Sequence, residues 1–157
     1  KPDYDGAEPT GNALTAETLL RLGELTTDPR YRTQAERLFG GFAHTLQTRP
    51  TSLPRMLCAL DFYLDRPLEL VFITPDGGTA RPFLDVLTET YLPNRVHVAL
   101  PESRIEIVGV TVPLVELKVL LGERTTAYVC QAGLCERPTD DPERFRAQIT
   151  PITPYGL

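Results

Sequence analysis

Two carboxylates, a hydroxyl and a carboxamide crowd into one short stretch near the N-terminus, Asp5-Gly6-Ala7-Glu8-Pro9-Thr10-Gly11-Asn12. Asp5 and Glu8 stand three residues apart on glycine-bent backbone, just ahead of a helical pattern. Carboxylates held this way on irregular backbone are raw material for binding sugars or moving protons. As a pair they act as acid and base on a glycosidic or hemiacetal carbon. A second reading needs no substrate. In it Asp5 caps a turn and Glu8 sits in the first turn of a helix, where the dipole favours it. Asn12 divides in the same way between ligand binding and N-capping. The structural reading is the favoured one for the pair. The loop lies at the edge of the chain, so a site that it lines must be completed by groups from elsewhere.

The cysteines offer a second chemistry. Cys130-Gln131-Ala132-Gly133-Leu134-Cys135 has a four-residue spacer. If Cys130 ends a strand and Gly133 makes a turn, the two sulfurs come close enough for a reversible disulfide. A zinc site would need four ligands, with Cys58, His44 and His97 as the other candidates. Such cysteines are more often small buried hydrophobes. Burial is expected for Cys58, and the pair is left open. Neither histidine has a sequence-near triad partner, so a solvated or satisfied imidazole is expected for each. Pro75-Asp76-Gly77-Gly78-Thr79 follows a predicted strand and precedes a predicted helix, where α/β folds hold phosphates. It lacks both the dinucleotide glycine pattern and the Lys-Ser/Thr of a P-loop, so turn geometry explains its glycines better. No metal and no cofactor is expected.

The elements that must position these groups fall into two sets. From Thr10 to Leu64 the apolar spacing is helical. Leu14, Leu19, Leu20 and Leu22 form one stripe, ended by Thr26-Thr27-Asp28-Pro29. Asp28-Pro29 then starts a helix as N-cap and first residue. It carries Tyr31, Ala35, Leu38, Phe39, Phe42, Ala43 and Leu46 on one face, and close contact with a neighbouring helix would explain Gly40-Gly41. A third helix is expected from Thr51 or Ser52, with Pro54 in its first turn. Short links between the three predict an antiparallel stack.

The period changes at Arg66-Pro67. Leu68 to Ile73 and Val96 to Leu100 read as strands, separated by a helix carrying Phe83, Val86, Leu87 and Tyr91. That spacing predicts a parallel βαβ unit. Ile105 to Val112 reads as extended, Pro113 to Leu121 as a short helix closed by Gly122, and Ala127 to Cys130 as a strand. Asp141-Pro142 begins a last helix through Phe145 and Ile149. The expectation is thus a mixed fold: a helical segment over residues 1–65, then a small α/β domain over 66–157 with a short, mainly parallel sheet.

Three pieces of sequence, in order, resemble the thioredoxin-domain proteins related to spermatogenesis-associated protein 20. They are the Asp5–Asn12 loop, Tyr91-Leu92-Pro93-Asn94, and Thr126-Ala127-Tyr128-Val129-Cys130 followed by Cys135. Together they extend over most of the chain, from Asp5 to Phe145. The resemblance implies a thioredoxin-like N-terminal domain, a six-hairpin α/α toroid like that of sugar epimerases and glycoside hydrolases, and a small C-terminal α/β region. On this reading the chain holds the last toroid helices and the α/β region, and its partners are the missing toroid and thioredoxin-like domains. No Cys-x-x-Cys occurs, so the thioredoxin-like redox activity is not carried over.

Composition narrows the remaining classes. At 157 residues, 41% hydrophobic and 24% charged, the chain has the makings of one ordinary core or two small ones. A net charge of -5 and no basic stripe argue against nucleic acid. No apolar run approaches the roughly 20 residues that span a bilayer. The polar start, Lys-Pro-Asp-Tyr-Asp, is unlike a signal peptide. Three cysteines, an odd number, suit a reducing compartment, which makes the cytoplasm the default. Three functions are carried forward: a carbohydrate-active protein whose cavity is built mostly from other helices, a non-catalytic interaction module, and a thiol-linked role for Cys130 and Cys135. Self-association through the helical segment is expected from its many large apolar side chains.

Overall fold

The computed structural model describes residues 4–6 and 8–150, and its first two helices begin where a side chain satisfies one of the free amides. Thr10 caps α1 (Gly11–Thr26), its Oγ1 accepting from the Ala13 amide at 3.2 Å. Asp28 caps α2 (Pro29–Thr48), accepting from the Arg30 amide at 2.9 Å with Pro29 as the first helical residue. The third helix starts later than Thr51 or Ser52. The amides of Ser52 and Leu53 bond back to the carbonyls of Arg49 and Pro50, closing a 3₁₀ turn over Pro50–Ser52, and α3 runs from Pro54 to Leu64.

The chain divides into two compact units, Lys1–Asp65 and Arg66–Leu157. In the first, α1 packs against both α2 and α3. Small residues set the spacing: Ala13, Ala16, Ala35 and Ala59 are fully buried, beside Leu20, Phe39, Met56 and Phe62. Gly40 and Gly41 do not serve this packing. Both are exposed in the body of α2, and a Cβ added to either would meet no atom within 4 Å. Helical glycine costs about 1 kcal/mol relative to alanine. Gly40→Ala and Gly41→Ala together should therefore stabilise the helical unit by roughly 2 kcal/mol. Thermal melting followed at 222 nm checks this, and a lowered midpoint would mean that the glycines are held by a contact that these residues do not show.

The second unit is a mixed four-stranded sheet with helices. Its elements are β1 (Leu68–Thr74), α4 (Arg81–Glu89), β2 (Arg95–Pro101), α5 (Ile105–Gly109), β3 (Thr126–Gln131), β4 (Leu134–Cys135) and α6 (Pro142–Ile149). The strand order is β2-β1-β3-β4. β1 and β2 are parallel, as expected, with Leu68 opposite Arg95 and Thr74 opposite Pro101. The sheet as a whole is not mainly parallel, because β3 runs antiparallel to β1 and β4 antiparallel to β3. The reason lies in the connection. Thr126 pairs with Ile73, so the chain after β2 stays at the end of the sheet where β1 and β2 finish. A strand launched from that end can only run back along β1.

One core cluster of this unit lies between a sheet face and two helices. Leu68, Leu70 and Phe72 share that face with Ala127 and Val129 of β3, Leu70 opposite Val129 and Phe72 opposite Ala127. Phe83, Val86 and Leu87 of α4 and Phe145 and Ile149 of α6 cover them. Phe72, Phe83 and Phe145 form a closed ring cluster, with centroids 5.4 to 5.8 Å apart. Arg146 of α6 pairs with Glu89 of α4 at 2.6 Å.

The segment between β2 and β3 departs from the sequence reading. Residues 105–109 are helical instead of extended, and the helix expected over Pro113 to Leu121 shrinks to a 3₁₀ turn at Pro113–Val115. Leu117 has φ 59, a left-handed conformation that ends any helix. Beyond it the Tyr128 hydroxyl accepts from the Val119 amide at 3.0 Å and donates to the Val119 carbonyl at 2.8 Å. Tyr91 also lies outside its expected helix, past Glu89 and 93% exposed. Among the described residues no helix is long and apolar enough to cross a membrane.

Candidate functional site

The Asp5 carboxylate has no free oxygen. Its Oδ1 accepts from the Thr10 amide at 2.8 Å, and its Oδ2 from the amides of Arg55 at 2.8 Å and Met56 at 3.1 Å. Arg55 and Met56 are in the first turn of α3, so Asp5 caps that helix from fifty residues away. Leu53, the residue in the cap position, makes no side-chain cap bond of its own. The Asp5 amide adds a bond to the Ser52 carbonyl at 2.8 Å. Desolvation pushes the Asp5 carboxyl upward. The bonds from Thr10, Met56 and Arg55 outweigh it and hold the group below the ordinary carboxylate range.

Glu8 is exposed in a bend ahead of α1, outside the helical turn where the structural reading had placed it. Asn12 is inside α1, and Thr10 does the capping that Asn12 was a candidate for. Beside this loop is a polar cluster not foreseen from sequence. Glu17 receives Arg21 at 2.9 Å on one oxygen and the Arg55 guanidinium on the other. Arg21 also lies 4.8 Å over the Phe62 ring. The four-residue step from Glu17 to Arg21 signals its half of the cluster; nothing local signals Arg55. Half-buried Glu24, also on α1, is the reverse of Asp5. Burial pushes its carboxyl up, and the positive charge of Arg32 offsets this only in part.

Cys130 and Cys135 are joined in a disulfide, with α-carbons 3.9 Å apart. They face each other in register across β3 and β4, with Gln131 opposite Leu134. The turn between them, Ala132-Gly133, has φ 51 and 80, the paired left-handed geometry of a tight hairpin. Cys130 is 2% exposed, whereas Cys135 is exposed. Cys58 is exposed as a free thiol on α3, contrary to its expected burial, because the buried positions of that helix go to Met56, Ala59 and Phe62. His44 and His97 are exposed on α2 and β2. Among the described residues no group of three or more His, Cys, Asp or Glu is placed to hold a metal ion.

A cleft of about 640 Å³ opens where β1 and β2 end, lined by Pro75, Asp76, Glu102, Ser103, Leu120, Gly122 and Glu123. The Ser103 hydroxyl donates to Asp76 at 2.6 Å, and Glu102 accepts from the Leu120 amide at 2.9 Å. Among the described residues its wall carries carboxylates and no lysine or arginine, which is the wrong sign for phosphate. The glycines of the Pro75–Thr79 stretch answer to turn geometry. Gly77 has φ 74, and a Cβ on Gly78 would come within 2.9 Å of the Pro75 ring.

The chain is similar to Spermatogenesis-associated protein 20 of Homo sapiens, 28% identical over 153 residues that make up 96% of this chain and 19% of the human protein. The Rattus norvegicus protein of the same name is 26% identical over 93% of the chain and 19% of its own length. An uncharacterized Caenorhabditis elegans protein is 28% identical over 87% of the chain and 18% of its own length. The chain thus spans about a fifth of these relatives. The similarity to proteins named Spermatogenesis-associated protein 20 extends over nearly the whole of this chain. No protein-family model matches the chain, and no solved structure matches it.

Proposed function

We propose that this chain is the C-terminal portion of a longer cytoplasmic protein of the spermatogenesis-associated protein 20 type, and that it acts there as a non-catalytic module. The observation that carries this is the state of Asp5. A carboxylate that accepts three backbone amides is committed to holding a helix in place, and is poorly suited to shuttling protons. Its loop couples the approach to α1 with the start of α3. In this reading the helical unit supplies the last turns of an α/α toroid, and the α/β unit is the small region that follows it in the chain. A thioredoxin-like domain and the rest of the toroid supply whatever chemistry the whole protein performs, carbohydrate chemistry being the nearest by analogy of fold. Apolar side chains of the helical unit support a covered face. Leu14 and Leu64 are exposed, and Leu19, Leu22, Leu38, Phe42, Leu46, Leu57 and Leu60 are only partly covered. Neighbouring toroid helices are their expected partners, with self-association when those are absent.

The test is turnover of sugar isomerase and glycosidase substrates by the 157-residue chain. None is expected above the uncatalysed rate. Turnover that Glu8→Gln abolishes, with the fold intact, would overturn the reading.

A further inference from the structure

The hairpin disulfide has features that a purely structural staple does not need. It closes a very short loop, and stabilisation from restricting the unfolded chain is smallest for short loops. The hairpin is already specified without it, by the left-handed pair Ala132-Gly133 and by the Gln131–Leu134 pairing. The Glu136 amide also bonds to the Val129 carbonyl at 2.9 Å, tying the strand beyond the cysteine. β4 lies at the sheet edge, while β3 is held along its length by β1. Opening the bond therefore leaves the sheet and its aromatic core in place.

The two sulfur-bearing residues are also unequal. Cys130 points from a buried strand position, whereas Cys135 is at the surface. Alongside the bond is a cleft of about 330 Å³ lined by Arg66, Leu68, Gln131, Leu134 and Glu136 together with both cysteines. Leu134 is 81% exposed. A thiol of small-peptide size has room to approach exposed Cys135.

We propose that Cys130–Cys135 is a reversible dithiol/disulfide site, opened by a thiol reductant that attacks Cys135. A thiolate bonds to Cys135 Sγ, the Sγ–Sγ bond breaks, and the Cys130 sulfur leaves with the electron pair and takes up a proton. A second thiolate of the reductant then attacks its own sulfur in the mixed disulfide and releases Cys135, which is protonated in turn. Two electrons and two protons reach the protein, and the reductant leaves as its own disulfide. Oxidation is the reverse, with a disulfide of the same class as the oxidant.

The experiment uses the full chain with Cys58→Ser, so that the free thiol cannot enter the exchange. The native protein is equilibrated in buffers of graded glutathione to glutathione-disulfide ratio, then alkylated and weighed. A parallel arm replaces glutathione with a thioredoxin-type dithiol protein, which distinguishes a small thiol from a protein reductant. The expected result is opening in at least one arm, with an unchanged far-UV spectrum. Single-cysteine variants report the direction of attack. Cys135 in Cys130→Ser should capture glutathione disulfide at least about tenfold faster than Cys130 in Cys135→Ser. A bond that resists both reductants until the protein is unfolded would overturn the proposal. So would reduction that itself melts the α/β unit, or equal capture by the two cysteines.

Discussion

Phe72→Ala should cost the α/β unit about 3–5 kcal/mol, the range for emptying an aromatic site in a packed core. Phe72 is fully buried within β1, a strand with a partner on each side. Its ring meets Phe83 of α4 at 5.8 Å and Phe145 of α6 at 5.4 Å, so one side chain holds two helices to the sheet. Truncation removes both ring contacts and leaves a hole that β1 cannot collapse to fill, being paired on both edges. Whole-domain stabilities are about 5–15 kcal/mol, so a large share of the unit's margin is at stake. Urea unfolding of the variant measures the loss. Phe72→Leu, which refills most of the volume, should recover more than half of it. A loss below about 1 kcal/mol for the alanine variant would show that the three rings are not the packed centre.

The second large effect is expected at Asp5. Asp5→Asn keeps the size of the side chain but gives up the charge that three amides converge on, and should cost the helical unit about 1–2 kcal/mol. The pH dependence identifies the cause. The folded Asp5 carboxyl is held below its ordinary range, so the unfolded chain binds its proton more readily than the folded one. Its contribution is therefore complete above the ordinary carboxylate range and is lost as pH falls through the folded value. Asp28, held down by its bonds from Arg30, acts in the same sense. Glu24 acts in the opposite sense: its folded carboxyl is raised, so it disfavours the folded state increasingly as pH rises from the ordinary value to the folded one. Asp5→Asn should flatten the acid side of the stability profile without abolishing it. An unchanged melting profile from pH 3 to pH 7 would mean that the loop does not cap α3 in solution.

What the sequence made legible and what it hid divide along the distance over which information is carried. Asp28-Pro29 and Asp141-Pro142 state their roles within two residues, and both start helices. The strands around Phe72 and Val98 declare themselves by length and apolar content. Asp5 is different: its chemical type is plain, but the amides it serves belong to Arg55 and Met56, and no local pattern connects them. The same holds for the antiparallel placement of β3, which depends on where the chain is left after β2. The segment from Ile105 was misread because a few apolar residues in alternation fit a strand or a single helical turn equally well. Leu117, left-handed and 95% exposed, has no sequence signal at all.

The strand order has a consequence for synthesis of the chain. β1 finds β2 soon after it is made, but its other edge stays open until Thr126–Gln131 has been added, some fifty residues after Thr74. At translation rates of about 5–20 residues per second, that is a wait of roughly 3–10 s. Throughout it, Leu70-Val71-Phe72-Ile73 presents bare amides and carbonyls on a strongly apolar strand, an invitation to pair with another nascent copy. The interval between the emergence of β1 and that of β3 is therefore where this segment most needs a chaperone, and the demand ends when β3 docks.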